Sequence, residues 1–207
     1  MHIIAPMVDA ERFMHRRYDE VLIELSDGRH ISPEQRRKAH VIIGEIADWQ
    51  GDIPEAVKQI TKMDFMVSNM NSLAKKMFSL ADCDMTTARE FISYLIDFVL
   101  RWDVPTKMPL VELCEDIERM VFACLMHKKC AICGKKRADL HHVDRVGMGR
   151  NRKTIVHEGM TVQPLCREHH SECHTMGQDE FDELYHIVSI AATKEICKRW
   201  GLKHEAV

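Results

Sequence analysis

A set of cysteines and histidines in the C-terminal third of the chain constrains the fold more than any other feature. Cys130 and Cys133 are two residues apart, and Gly134 permits the backbone turn that lets two such thiolates bind one ion. Cys166 and His169 follow 33 residues after Cys133 and complete a Cys3His set. Because a segment of about 40 residues has little core of its own, a closed zinc site would supply its folding free energy directly. The alternative is a group of buried free thiols.

Four more histidines lie in the same segment. His141 and His142 are adjacent in a short predicted strand, so their side chains should point to opposite faces of it. His170 and His174 are four residues apart, and a helix that begins near Glu168 places them on one face, where they can chelate one ion. The alternative is a group of surface histidines beside a zinc knuckle.

In this order, the residues resemble the HNH (ββα-metal) endonuclease motif. The resemblance covers residues 128–177. Its three parts are Cys130-x-x-Cys133, His141-His142-Val143 and Leu165-Cys166-x-x-His169-His170-x-x-x-His174. It implies a zinc-stapled ββα domain that hydrolyses DNA phosphodiester bonds with the help of a divalent ion.

The resemblance also implies a role for each side chain. His142 would be the general base that deprotonates water, since a neutral imidazole accepts a proton near pH 7. His141, His170 and His174 would bind the catalytic ion, which is Mg²⁺ or Mn²⁺ with Ni²⁺ or Zn²⁺ as alternatives. A separate structural Zn²⁺ would be held by Cys130, Cys133, Cys166 and His169.

One position departs from the family pattern. The middle residue of the motif is usually Asn, but Thr161 stands in its place, with Asn151 earlier in the chain and His157 between them. That Asn usually fixes a loop through backbone hydrogen bonds without touching the substrate. Its absence therefore leaves the chemistry feasible and puts the loop geometry in question. His157 is a less favoured candidate for its replacement.

Charge is distributed unevenly along the chain, whose net charge is −3. Residues 128–153 contain nine basic and two acidic residues, and a basic patch beside metal ligands suits a phosphate backbone. Residues 1–127 contain 15 basic and 21 acidic residues, which argues against nucleic-acid binding there by bulk charge. The candidate phosphate contacts in the patch are Arg145, Arg150, Arg152 and Lys153, each with a solvated surface charge as the alternative.

The N-terminal part predicts mostly helices with a small sheet. Residues 21–25 predict a strand followed by a tight turn, and Ser32-Pro33-Glu34-Gln35 predicts a helix start with a capping box. Gly51 to Pro54 should end that helix and begin another short one. Three more helices are predicted: one capped by Thr86 or Thr87, one over residues 110–127, and one over residues 179–199.

Residues 15–105 resemble the NinB/Orf-type recombination proteins of phages. The resemblance rests on residues 32–40, 45–49, 56–58 and 85–92. It implies that residues 1–127 form a domain that binds single-stranded DNA or recombination proteins, with a homodimer as one arrangement. Residues 128–207 would form the nuclease domain. The candidate phosphate contacts here are Arg36, Arg37 and Lys38, with an exposed helix face as the alternative.

Together these patterns predict an α+β chain, with a mostly helical N-terminal domain, a ββα-metal domain and a C-terminal helix. The leading function is an HNH endonuclease that cuts single-stranded, branched or duplex DNA in phage recombination or repair. A non-catalytic zinc-containing single-stranded-DNA-binding recombination mediator is the alternative, ahead of a zinc-containing transcription regulator. The N-terminus lacks the features of a signal peptide, and no run approaches about 18 apolar residues, so we expect a cytoplasmic protein with no membrane partner.

Overall fold

The computed structural model describes residues 28–68, 77–143 and 155–204, and it has the predicted α+β class. The predicted strand at residues 21–25 lies outside the described residues. The described elements are α1 (Pro33–Gln50), α2 (Pro54–Ser68), α3 (Met85–Trp102), α4 (Leu110–Leu113), α5 (Ile117–His127), β1 (Asp139–His142), β2 (Thr161–Leu165), α6 (Arg167–Met176), α7 (Gln178–Tyr185), β3 (Ile190–Ala191) and α8 (Lys194–Trp200).

The predicted capping box begins α1. The Ser32 side chain accepts a hydrogen bond from the Gln35 backbone N–H at 3.0 Å, and the Gln35 side chain accepts one from the Ser32 N–H at 3.1 Å. Gly51 ends the helix in the left-handed conformation, with φ of 71°. The helix buries Ile42 and Ile46 against its neighbours α2 and α3. The next helix, α2, has 15 residues and is longer than the short helix predicted.

The cap of α3 is Asp84, so the prediction of Thr86 or Thr87 was wrong. The Asp84 carboxylate accepts hydrogen bonds from the backbone N–H of Thr87 at 2.8 Å and from its hydroxyl at 2.6 Å. Thr87 therefore serves as a donor inside the first turn, because an acidic cap can take both of its hydrogens. The helix buries Phe91 and Leu95.

The helix predicted over residues 110–127 is two helices, which corrects that prediction. Cys114 has extended backbone angles and ends α4 after one turn. Asp116 then caps α5 by accepting a hydrogen bond from the Arg119 N–H at 3.0 Å. The chain thereby changes direction while its apolar residues stay buried, so their spacing alone could not reveal the break.

The helix predicted over residues 179–199 is also interrupted. His186 ends α7 in the left-handed conformation with φ of 52°, and the short strand β3 follows. Thr193 caps α8 by accepting a hydrogen bond from the Ile196 N–H. The Trp200 indole N–H then donates to the Leu125 carbonyl at 3.0 Å, which ties α8 to the end of α5.

A three-stranded antiparallel sheet carries the C-terminal part, in the order β1-β2-β3. The β1–β2 register places His141 directly opposite Gln163. Helix α6 follows β2 after one residue and packs on both β1 and β2. The two strands and this helix form the ββα unit that the sequence predicted.

One cluster of buried side chains crosses the predicted boundary at residue 127. It includes Leu95 of α3, Cys124 of α5, Val162 of β2 and Ile196 of α8. The division into two domains stays a prediction. No helix in the described parts of the chain has the length and apolar character needed to cross a membrane.

Candidate metal centres

Cys130, Cys133, Cys166 and His169 come together, and their ligand atoms all lie within 4.8 Å of one another. The first two lie on a tight turn after α5, where the Gly134 N–H donates to the Cys130 carbonyl at 2.9 Å. Gly134 has φ of 66°, a conformation that glycine adopts at no steric cost. Cys166 is the N-cap of α6, and His169 lies in the first turn of that helix.

The spacing of these donors fits a tetrahedral zinc ion. A Zn–S bond of about 2.3 Å and a Zn–N bond of about 2.0 Å require S–S edges of about 3.8 Å and S–N edges of about 3.5 Å. The Cys133 and Cys166 sulfurs are 3.8 Å apart, and the Cys130 sulfur lies 3.5 Å from His169 Nδ1. The Cys166 sulfur is closer to that nitrogen, at 3.1 Å. The donor set and its size therefore suit Zn²⁺.

Burial makes ionisation of the cluster's thiols costly unless a cation is bound. Burial raises the pKa of the Cys130 thiol to about 12 and raises the pKa of the Cys133 thiol as well. A buried thiolate is costly without a positive partner, and zinc binds cysteine as the thiolate. A divalent ion would offset that cost, and the cluster can hold a metal of this kind.

A second cluster contains His141, His170 and His174, whose ligand atoms lie within 4.8 Å of one another. His141 comes from β1, and the other two come from one face of α6. Ring centroids are 4.9 Å apart for His141 and His170, 5.1 Å for His141 and His174, and 4.8 Å for His170 and His174. His169 and His170 are adjacent in sequence yet belong to different clusters.

His141 offers one ring nitrogen to this cluster. Its side chain is buried, and its Nε2 lies 2.9 Å from the Gln178 side-chain oxygen. No described residue hydrogen-bonds the buried Nδ1. Burial lowers the pKa of His141, which favours the neutral imidazole that metals bind. An unpartnered buried nitrogen beside two more imidazoles is what a metal ligand would present.

His142 faces the same open cavity as the three clustered histidines. The cavity has a volume of about 330 Å³ and is also lined by Leu140, Ile155 and His157. The His142 Nε2 lies 3.0 Å from the His157 Nδ1. Five imidazoles thus surround one solvent-accessible space.

Several side chains at this site carried no recognisable sequence signal. Gln178 and Asp182 lie beyond the last motif residue, and Gln163 lies between two motif positions in a strand. Asp139, just before the histidine pair, has a carboxylate oxygen 3.6 Å from His170 Nδ1. Short polar residues of this kind are common in any sequence, so only their contacts distinguish them.

The structure describes three of the seven candidate phosphate contacts. Arg145, Arg150, Arg152, Lys153 and the displaced Asn151 lie outside the described residues. Arg36 donates to the Leu80 and Ala81 carbonyls at 2.9 and 2.7 Å. Lys38 pairs with Glu115 at 2.8 Å, and Arg37 pairs with Glu34 at 3.2 Å. These donors have partners within the protein, and their phosphate role stays a prediction.

Thr161, at the usual Asn position, is the first residue of β2. Its carbonyl accepts a hydrogen bond from the Val143 N–H at 3.0 Å. The backbone at this position thereby joins β2 to the end of β1. This main-chain hydrogen bond does not depend on the side chain at position 161.

The comparisons with known proteins agree with this geometry. A family model described as "Putative HNHc nuclease" matches residues 11–204. No curated protein matches the chain, and no solved structure does. The match spans both metal clusters and nearly the whole chain, and the protein therefore belongs to this HNHc nuclease family.

Proposed function

We propose that this protein is a metal-dependent endonuclease that hydrolyses DNA phosphodiester bonds in the cavity beside His141, His170 and His174. One observation carries the proposal. Three imidazoles converge around one point while a fourth, that of His142, borders the same open cavity. Structural zinc sites are closed, whereas a catalytic metal keeps positions open for water and substrate.

The residues divide the chemistry between them. A divalent ion held by His141, His170 and His174 would supply positive charge beside the scissile phosphate and stabilise the leaving oxygen. His142 accepts the proton of the attacking water, because its neighbour on β1 is directed to the metal cluster while its own ring borders the cavity. His157 holds the His142 ring through the contact between their nitrogens.

The Cys3His cluster has a structural part in this proposal. It joins the turn after α5 to the first turn of α6, so it fixes the helix that carries His170 and His174. Its four protein donors leave no coordination position for substrate. Zinc there acts through the position of α6, with no contact to the reacting phosphate.

The substrate and setting follow from the family resemblances. DNA in single-stranded, branched or duplex form is the proposed substrate, in phage recombination or repair and in the cytoplasm of a bacterial host. Residues 1–127 would bind DNA or recombination proteins as a NinB/Orf-like domain. The basic patch at residues 128–153 would bind flanking phosphates, since such contacts position the backbone without reading sequence.

A non-catalytic, zinc-containing DNA-binding protein is the second candidate. Thr161 in place of the usual Asn favours it. The three converging imidazoles favour the nuclease, and so does the buried Nδ1 of His141, which no described residue hydrogen-bonds. A protein that only binds DNA does not need a second metal site. Metal content separates the two. One zinc per chain and no second site for Mn²⁺ would support the DNA-binding protein.

Nicking of a supercoiled plasmid tests the nuclease. We expect cutting with Mg²⁺ or Mn²⁺, none with EDTA, and a loss of about 10²- to 10⁴-fold in His142→Ala, the usual contribution of a general base. His40→Ala is a matched control, because His40 is exposed on α1, far along the chain from the cavity residues. Cutting that is indifferent to metal and to His142→Ala would rule out the proposal.

A further inference from the structure

Gln178 connects α7 to the histidine cluster. It is the first residue of α7, after Gly177 has separated that helix from α6. Its side-chain oxygen lies 2.9 Å from Nε2 of His141. A side-chain amide has one face that accepts hydrogen bonds and one that donates them, so its orientation decides what His141 encounters.

Asp182 determines that orientation. The Gln178 Nε2 donates to Oδ1 of Asp182 at 2.9 Å and to the side-chain oxygen of Gln163 at 3.2 Å. The Gln163 Nε2 donates to the same Asp182 oxygen at 2.6 Å. An ionised carboxylate only accepts hydrogen bonds. Turning either amide over would set its oxygen against the carboxylate, so Asp182 fixes both amides.

The positions of these three residues follow from the fold. Gln178 and Asp182 are four residues apart on α7 and therefore share a face of that helix. Gln163 is fully buried and lies directly opposite His141 in the β1–β2 ladder, so both point to the same side of the sheet. Helix α7 carries Asp182, whose carboxylate accepts hydrogen bonds from both amides.

The consequence for His141 is a defined tautomer. Because the Gln178 oxygen can only accept, Nε2 must carry the proton of the neutral ring. The lone pair then belongs to Nδ1, the buried nitrogen that no described residue hydrogen-bonds. The thiol of Cys173 donates to the Gln178 oxygen at 3.5 Å and also lies 3.6 Å from Nε2 of His141. A thiol is a weak donor, and the Gln178 oxygen is much closer to Nε2, at 2.9 Å, so the amide oxygen decides where the proton lies.

We propose that Asp182, acting through Gln178, sets the tautomer of His141 and directs its Nδ1 lone pair into the metal cluster. The metal part of this inference rests on the proposed function, which makes His141 a ligand. Asp182 and Gln178 are positioning residues, since they would act on the ion through His141. Removal of a residue that orients a metal ligand through hydrogen bonds commonly weakens metal binding by about 10- to 100-fold.

Asp182→Asn tests the inference, because asparagine presents both a donor and an acceptor and lets the Gln178 amide turn over. We expect ring ¹⁵N signals of His141 to show a proton on Nε2 in the zinc-loaded wild type, and a mixture of tautomers in Asp182→Asn. Mn²⁺ affinity should fall by about 10- to 100-fold in the variant, while the zinc content stays that of the wild type. Glu183→Gln is the matched control, since it removes one exposed negative charge from the same helix.

A double variant that exchanges the carboxylate and the amide tests whether the effect of Asp182→Asn can be rescued. In Gln178→Glu combined with Asp182→Asn, the carboxylate moves next to His141 and the amide moves to the second position. The double variant should regain the wild-type tautomer and Mn²⁺ affinity within about threefold, which a merely structural role of Asp182 would not predict. Rescue also shows whether the single variant had lost its fold.

The outcomes separate this inference from the nuclease proposal. A wild-type protein with the proton of His141 on Nδ1 overturns the inference, whatever the nicking assay shows. Unchanged tautomer and affinity in Asp182→Asn overturn it as well. A further outcome is that the tautomer responds as expected while neither the wild type nor Asp182→Asn binds Mn²⁺. In that case the inference about Asp182 and Gln178 holds, and the proposal of a catalytic metal site is wrong.

Discussion

His142 Nε2 lies 3.0 Å from His157 Nδ1, although the two residues are separated by 15 positions. His157 is held by its own backbone, because its N–H donates to the Lys203 carbonyl at 2.8 Å and its carbonyl accepts from the Met160 N–H at 3.0 Å. A fixed imidazole therefore faces the proposed general base. We therefore expect His157 to orient the His142 ring, a role different from the loop-fixing one usual for the middle Asn of the motif.

His157→Ala should lower the rate of plasmid nicking by about 10- to 100-fold, because a base that is free to rotate spends less time in line with water. His157→Asn should retain more activity, since its amide can still reach toward His142. The rate with saturating Mn²⁺ is the measurement. Equal rates for His157→Ala and wild type would show that His142 is oriented by other contacts.

The split between His169 and His170 predicts two separable metal losses. His169→Ala should lower the zinc content, since His169 Nδ1 lies 3.5 Å from the Cys130 sulfur. His170→Ala and His174→Ala should keep the zinc and weaken Mn²⁺ binding by at least about tenfold. Zinc content by mass spectrometry and Mn²⁺ titration measure both effects. Loss of both metals in every variant would mean that the two clusters are not independent.

Cys133→Ser should destabilise the protein through the zinc ion. Cys133 is exposed, so its replacement removes a ligand with little loss of packing. We expect substoichiometric zinc and a loss of about 3 kcal/mol or more in unfolding free energy, or roughly 6–12 °C in Tm for a chain of this size.

Cys114→Ser is the matched control for the zinc ligand. Cys114 is buried and lies outside both metal clusters, and its sulfur donates to the Val111 carbonyl at 3.2 Å. A serine hydroxyl can keep that hydrogen bond, so zinc content should stay that of the wild type and the stability cost should be about 1 kcal/mol. A Cys133→Ser variant no less stable than this control would contradict a structural zinc.

Asp84 predicts a pH dependence of stability in the helical part. Burial opposes ionisation of its carboxyl, but hydrogen bonds from Thr87 outweigh that effect and hold the pKa below its ordinary value of 3.8. Because the folded pKa is lower than the unfolded one, this stabilisation is present above about pH 3.8 and is lost as the pH falls through the folded pKa. Asp84→Ala should cost about 1 kcal/mol at pH 7.

Asp84→Asn isolates that titration, since asparagine can cap the helix and cannot ionise in this range. The difference in unfolding free energy between wild type and Asp84→Asn should be constant above pH 5 and should shrink below about pH 3.8. Urea unfolding at several pH values measures it. Zinc release in acid affects both proteins alike and cancels in the difference. A difference that is unchanged down to pH 3 would refute the assignment.

Local sequence patterns were enough to predict the elements of the ββα unit and the members of the two clusters. The Cys-x-x-Cys pair, the adjacent histidines on a strand and the i, i+4 pair on a helix are local patterns whose geometry follows from backbone repeat distances. The capping box at Ser32 is equally local. Apolar spacing also predicted helices at α1 and α3, because it repeats along each of them.

The positions of the helix breaks and the contacts between polar residues depend on how separate elements pack, and the sequence did not predict them. Apolar residues recur on both sides of each break, as Leu113 and Met120 do in residues 110–127 and Phe181 and Ile196 do in residues 179–199, so periodicity could not separate α4 from α5 or α7 from α8. Gln178 contacts His141, His157 contacts His142, and Asp182 contacts Gln163. Such contacts join residues distant in sequence, and a single sequence carries no pattern for them, because they arise only when separate elements pack together.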